Sequence, residues 1–283
     1  MPNVKIIAIA NQKGGVGKTT TALNIAAGLV KAGMKVLIID LDPQGNLTNY
    51  IGHDLDELPT ISELLQQAAS NQLKPESIQQ SIRTNAKGID YIPSNILLAS
   101  ADMFLSNVIC REQVLRRLLK GVAFAAYDYV LIDCLPSLGI LLTNALTASN
   151  SVLIPVQAQK FALDGLEQLE QIYVMVKENI NPTLEIEGVL LTMADNTNMS
   201  KAVESALTDR YGDKVYHSKI RRSVEATNST YEQKSLIATR SSKLGAEYQA
   251  VVDEMLQSNY FVFDKEIVCE NIIERYENTI NNE

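Results

Sequence analysis

Five short apolar runs punctuate the chain: Val4-Lys5-Ile6-Ile7-Ala8-Ile9-Ala10, Lys35-Val36-Leu37-Ile38-Ile39-Asp40, Asp128-Tyr129-Val130-Leu131-Ile132-Asp133, Ser151-Val152-Leu153-Ile154-Pro155-Val156 and Glu187-Gly188-Val189-Leu190-Leu191-Thr192. Each is rich in β-branched residues and almost free of the apolar/polar alternation of a half-exposed strand, so each reads as a strand buried on both faces. Longer stretches with helical spacing separate several of them; Ala22, Ile25, Ala26 and Leu29 after the first run are the clearest. The alternation predicts an α/β fold, a mainly parallel twisted sheet with helices on both faces, with ligands at the carboxyl ends of the strands. Asp40 and Asp133, which close two of the runs, would then lie near the turn that follows the first strand.

Composition narrows the class without changing this picture. A chain of 283 residues with 46% hydrophobic and 20% charged content can bury a large core in one α/β domain. No apolar run approaches the roughly 20 residues of a membrane-spanning helix, and the first residues carry neither a charged n-region nor a cleavage site, so a cytoplasmic location is expected. Cys110, Cys134 and Cys269 are far apart and in no metal-binding spacing, which predicts reduced thiols, two of them buried. His53 and His217 are isolated and receive no role.

The run Gln12-Lys13-Gly14-Gly15-Val16-Gly17-Lys18-Thr19-Thr20, between the first strand and the first helix, carries the chemistry. Its glycines let the backbone curl until successive N–H groups converge at the positive end of a helix, which makes an anion nest. Lys18 would reach the β- and γ-phosphates of a nucleotide, and the Thr19 hydroxyl would ligate Mg²⁺. Asp133 at a strand end suits a carboxylate that holds the same ion, directly or through water. Asp40-Leu41-Asp42-Pro43-Gln44-Gly45-Asn46 places two carboxylates at a forced turn, where a carboxylate could orient and deprotonate a water in line with the γ-phosphate.

These motifs, with Ile132-Asp133-Cys134-Leu135-Pro136-Ser137-Leu138-Gly139 and Ser223-Val224-Glu225-Ala226, make the chain resemble the ParA-type partition ATPases. That is the deviant Walker A group, which also includes MinD and the nitrogenase iron protein. The likeness spans about residues 4 to 257 and implies a P-loop NTPase-like fold with ATP and Mg²⁺ as cofactors. It implies that Lys13, Gly14, Gly15, Val16, Gly17, Lys18, Thr19 and Thr20 bind nucleotide, that Thr19, Asp42 and Asp133 serve the metal, and that Lys13, Lys18 and Asp42 are catalytic. Lys13 would cross a homodimer interface to the partner's phosphates, two ATP molecules being sandwiched between the subunits, much as an arginine finger acts in trans. Asp40 would brace the site.

The resemblance further implies non-specific binding of double-stranded DNA by the ATP dimer, nucleoid association, and release when a ParB-like centromere-binding protein stimulates an ATPase that is weak alone. A net charge of −8 opposes DNA contact over the whole surface. Residues 201–243, however, hold nine bases against five acids, a net of +4, and make Lys201, Lys219, Arg221 and Arg222 the expected nucleic-acid contacts. Two departures stand out. The arginine that many relatives carry after the strand ending in Thr192-Met193 is absent from Ala194-Asp195-Asn196-Thr197-Asn198, and Arg221 replaces a frequent proline, which would shift the basic contact towards Lys219, Arg221 and Arg222.

The first strand starts so early that the N-terminal helix-turn-helix of some relatives is expected to be missing. Residues 1–257 are read as the ATPase domain and 258–283 as an acidic helical extension, with Val268, Ile272, Tyr276 and Ile280 as its stripe. Acidity there opposes a MinD-like membrane anchor. Two other readings stay open: a MinD-like or organelle-positioning ATPase whose cargo is a protein complex, and a metabolic ATP-dependent ligase or reductase with a similar loop. The second lacks a cluster-ligating cysteine pair and an evident substrate motif.

Overall fold

A computed structural model describes residues 4–54, 56–159 and 162–260. Among these, the five apolar runs become strands β1 (Lys5–Ile9), β2 (Val36–Leu41), β5 (Tyr129–Cys134), β6 (Ser151–Gln157) and β7 (Glu185–Thr192). Two short strands that the hydrophobic pattern did not announce, β3 (Arg83–Thr84) and β4 (Asp90–Ile92), complete one sheet in the order β3-β4-β2-β5-β1-β6-β7. Every pairing is parallel except β3 with β4.

The helices are α1 (Lys18–Lys31), α2 (Asn46–Tyr50), α3 (Ile61–Ala69), α4 (Pro75–Ser81), α5 (Ala101–Leu105), α6 (Val114–Leu119), α7 (Ile140–Ala148), α8 (Asp164–Asn179), α9 (Asn198–Tyr211), α10 (Glu225–Tyr231) and α11 (Lys243–Tyr260). They cover both faces. Successive strand residues point to opposite sides, so Ile7, Ile9, Val36, Ile38 and Leu131 pack with α1 and α11, whereas Ala8, Leu37, Ile39, Val130 and Ile132 pack with α3, α6, α7 and α8. That two-sided burial explains the unbroken apolar runs.

Register brings the polar strand ends together. Ile9 of β1 and Asp40 of β2 both lie beside Asp133 of β5. All three strands end there, at the start of α1. The helix α11 runs past residue 257 to Tyr260, and the tail stripe, like Cys269, falls outside the described residues. No helix among the described residues is long and apolar enough to cross a membrane.

Candidate functional site

The loop between β1 and α1 is held open by its glycines. Gly15 and Gly17 have φ of 73° and 86°, a left-handed backbone that side chains disfavour, and a Cβ at Gly14, Gly15 or Gly17 would meet nothing within 4 Å. The loop therefore cradles space at the N-terminus of α1, where free N–H groups favour an anion. Its shape is tied down from outside. Asn11 donates to the Pro155 carbonyl at 2.7 Å and accepts from the Lys13 N–H at 2.9 Å. The Thr192 hydroxyl donates to the Val16 carbonyl at 2.9 Å.

Lys18 is buried and donates to the Lys13 carbonyl at 3.1 Å, so the loop's own backbone holds the ammonium at the cradle. Burial lowers its pKa; Asp133, the Cys134 sulfur and Asp42 act in the opposite sense. Asp133 is 1% exposed and its Oδ1 has no hydrogen-bond partner. Burial pushes its pKa well up, and the neighbouring Asp40 charge adds to this, while the Thr19 hydroxyl and Lys18 pull it back. A buried carboxylate oxygen without a partner costs free energy, and a cation beside Thr19 would relieve it. No three His, Cys, Asp or Glu side chains among the described residues form a ready metal cage.

Asp40 is also buried, and burial pushes its carboxyl up to about 6 despite hydrogen bonds from Thr48 and the Asp42 N–H. Its carboxylate accepts from the Asp42 N–H and from the Thr48 N–H and hydroxyl, across the turn that follows β2. Asp42, 9% exposed, accepts from the Gln44 N–H at 2.9 Å and lines the cavity.

That cavity, about 640 Å³, runs from Gly14, Gly15, Gly17, Lys18, Thr19 and Thr20 past Asp42 to Met193 and the α10 residues Thr227 and Tyr231. Three expected site residues stand apart from its wall. Val16 is buried, with only its backbone at the loop; Asp133 lies beneath the floor; Lys13 is half-exposed beside it. A second cleft of about 630 Å³ is lined by His53, Asp56, Arg83 and Tyr91. Its arginine is spent on Asp56 at 2.6 Å and its His53 on the Tyr91 hydroxyl at 3.0 Å, so it offers nothing comparable to the open cradle.

The expected basic contacts divide into two pairs. Lys219 is paired with Glu204 at 2.5 Å and Arg221 with Glu247. Lys201 and Arg222 are exposed and form no ion pair among the described residues. The Arg222 N–H donates to the Ala194 carbonyl at 3.1 Å, one residue from Met193 of the cavity. Cys134 is buried and Cys110 exposed, both as free thiols.

Sequence reasoning missed Asn11, Thr48 and Thr192. Each is a small polar residue 8% exposed or less, and burial was their only signal.

A model of the AAA domain family (AAA_31) matches residues 4–186. The sporulation initiation inhibitor protein Soj of Bacillus subtilis (strain 168) is 43% identical over 245 residues, 86% of this chain and 94% of that one. The chromosome partitioning protein ParA of Caulobacter vibrioides (strain NA1000 / CB15N) is 40% identical over 229 residues, covering 80% and 84%. Among solved structures, cobyrinic acid a,c-diamide synthase from Mycobacterium smegmatis, with bound ADP and magnesium, superposes with a TM-score of 0.76 at 35% identity, covering 90% of this chain and 94% of that one.

Proposed function

Because the chain belongs to the family of ParA-type partitioning ATPases, we propose that it is an ATP-dependent DNA-segregation ATPase, cytoplasmic and nucleoid-associated, that works as a homodimer. The observation that carries this reading is the unpartnered, buried Asp133 Oδ1 beneath an open glycine loop that already holds Lys18. The N–H groups of residues 14–20 hold the phosphates of ATP, and Lys18 neutralises the β- and γ-phosphates. Thr19 and Asp133 hold Mg²⁺, with Asp42 close by. Held there, Mg²⁺ would supply positive charge to offset the charge that develops on the phosphates.

Asp42 orients the attacking water and accepts its proton. Lys13, half-exposed beside the cradle, reaches the phosphates of the partner subunit, so two ATP molecules lie between two subunits. Neither subunit alone supplies both lysines, which makes turnover weak in isolation. Residues 1–257 act as the ATPase domain and 258–283 as an acidic extension.

The ATP dimer binds duplex DNA through Lys201, Lys219, Arg221 and Arg222, the two unpaired bases contributing most, and a ParB-like partner stimulates hydrolysis and release. The synthase shares the nucleotide-binding frame. The protein relatives with higher identity carry the names of partitioning and sporulation proteins, and that difference favours the switch over a ligase.

The test is binding to random-sequence duplex DNA with ATP, ADP or no nucleotide across a salt series. Tight binding with ATP alone, weakening steeply with salt, is expected. Absence of binding in every nucleotide state would overturn the DNA reading in favour of protein-cargo positioning.

A further inference from the structure

Asp42 sits on a turn, where nothing in the β2 ladder fixes its direction. The turn is instead closed onto one carboxylate. The Asp42 N–H donates to Asp40 Oδ1 at 3.1 Å, and at the far end the Thr48 N–H and hydroxyl donate to Asp40 Oδ2 at 2.8 and 2.7 Å. The Thr48 hydroxyl is used a second time, accepting from the Ser94 N–H at 2.9 Å. Asp40, Thr48 and Ser94 are all buried, so these bonds are shielded from water and each lost partner leaves a costly group behind.

We propose that Thr48 is the positioning residue for Asp42: its hydroxyl clamps the 42–48 turn between Asp40 and the backbone at Ser94, and so sets the direction from which Asp42 addresses the reacting water. This rests on the reading of Asp42 as the water-orienting carboxylate. The Thr48 hydroxyl donates to Asp40 and accepts from Ser94 at once, which an aliphatic side chain of the same size cannot do. Serine keeps both bonds; valine, with nearly the same shape, keeps neither. The clamp also joins two distant stretches, because Ser94 leads directly into Asn95, whose side chain accepts from the Leu97 N–H at 3.0 Å and starts the turn that exposes Ile96 and Leu97. A shift of the Asp42 turn would therefore be felt at those exposed apolar residues.

The experiment compares the full chain with Thr48→Val and Thr48→Ser in three measurements: ATP affinity by calorimetry, phosphate release at saturating ATP, and amide exchange of residues 42–48 without nucleotide. For Thr48→Val we expect ATP affinity to change by less than about threefold while phosphate release falls about tenfold or more, the equivalent of one ordinary hydrogen bond. Exchange in the turn should rise by a similar factor of about ten. Thr48→Ser should stay near the parent in all three.

A merely structural role would lower binding and turnover together, and that result overturns the proposal. So does a Thr48→Val chain that hydrolyses ATP like the parent, a Thr48→Ser chain that fails as Thr48→Val does, or unchanged exchange in the turn. If the parent itself releases no phosphate, the ATPase reading falls, and the exchange measurement still decides whether Thr48 clamps the turn.

Discussion

Asp40 and Asp133 lie side by side at the ends of β2 and β5, and their burial makes them hold protons that exposed carboxylates would lose. Asp40 is pushed up to about 6 from 3.8, and Asp133 is raised well above its ordinary value. A raised folded-state pKa means that the folded protein binds the proton more tightly than the unfolded chain. The stability that Asp40 contributes is thus full below pH 3.8 and is lost as pH rises through about 6. A bound cation favours the charged carboxylates, so binding of Mg²⁺ and ATP should release protons and tighten as pH rises from about 5 towards 7. Calorimetry in two buffers of different ionisation heat reads this directly, and zero exchange or proton uptake would contradict it.

Lys18→Ala should abolish nucleotide binding in the same assay, since Lys18 is the buried ammonium hydrogen-bonded to the loop; retained affinity would remove Lys18 from its role. For DNA, Arg222→Ala should weaken binding severalfold and make the salt dependence shallower, by about 1 in the slope of log affinity against log salt. Lys219→Ala, already paired with Glu204, should do less, and equal losses would count against the division. The glycine loop was legible in the sequence because anion binding by backbone demands glycines at fixed spacing. The pairings of Lys219 and Arg221 were not, because their acids lie 15 and 26 residues away in the chain and only folding brings them close.

At the scale of elements, the strands buried on both faces announced themselves by composition, and their observed bounds fall within two residues of the apolar runs. β3 and β4 escaped because two and three residues are too few to establish a period. Helix packing was equally silent in sequence, since it depends on where glycines let backbones approach. A Cβ at Gly245 of α11 would lie 2.3 Å from the Leu236 carbonyl oxygen, and one at Gly28 of α1 would lie 2.7 Å from the Val252 side chain. The Asn24 side chain of α1 meanwhile accepts from the Leu236 N–H at 2.7 Å. Gly245→Ala gains about 1 kcal/mol of helix propensity but must displace backbone, and overpacking costs about 1–3 kcal/mol. A net loss is expected in denaturant unfolding; an unchanged or raised midpoint would show that the backbone there relaxes freely.

For the molecule as a whole, the sheet delivers three strand ends, the glycine loop and the Asp42 turn to one edge, leaving Lys13 half-exposed there rather than in the cavity wall. On the proposed reading, a protein of net charge −8 would meet DNA through a local basic surface alone, and pairing two chains would double that surface. The measurement that bears most directly on this account is light scattering of the parent chain and Lys13→Ala with Mg²⁺ and ATP, beside a check of ATP affinity. The account predicts an ATP-dependent dimer for the parent, and a Lys13→Ala chain that binds ATP yet stays monomeric. A Lys13→Ala chain that dimerises like the parent, or a parent that never dimerises with ATP, would contradict it.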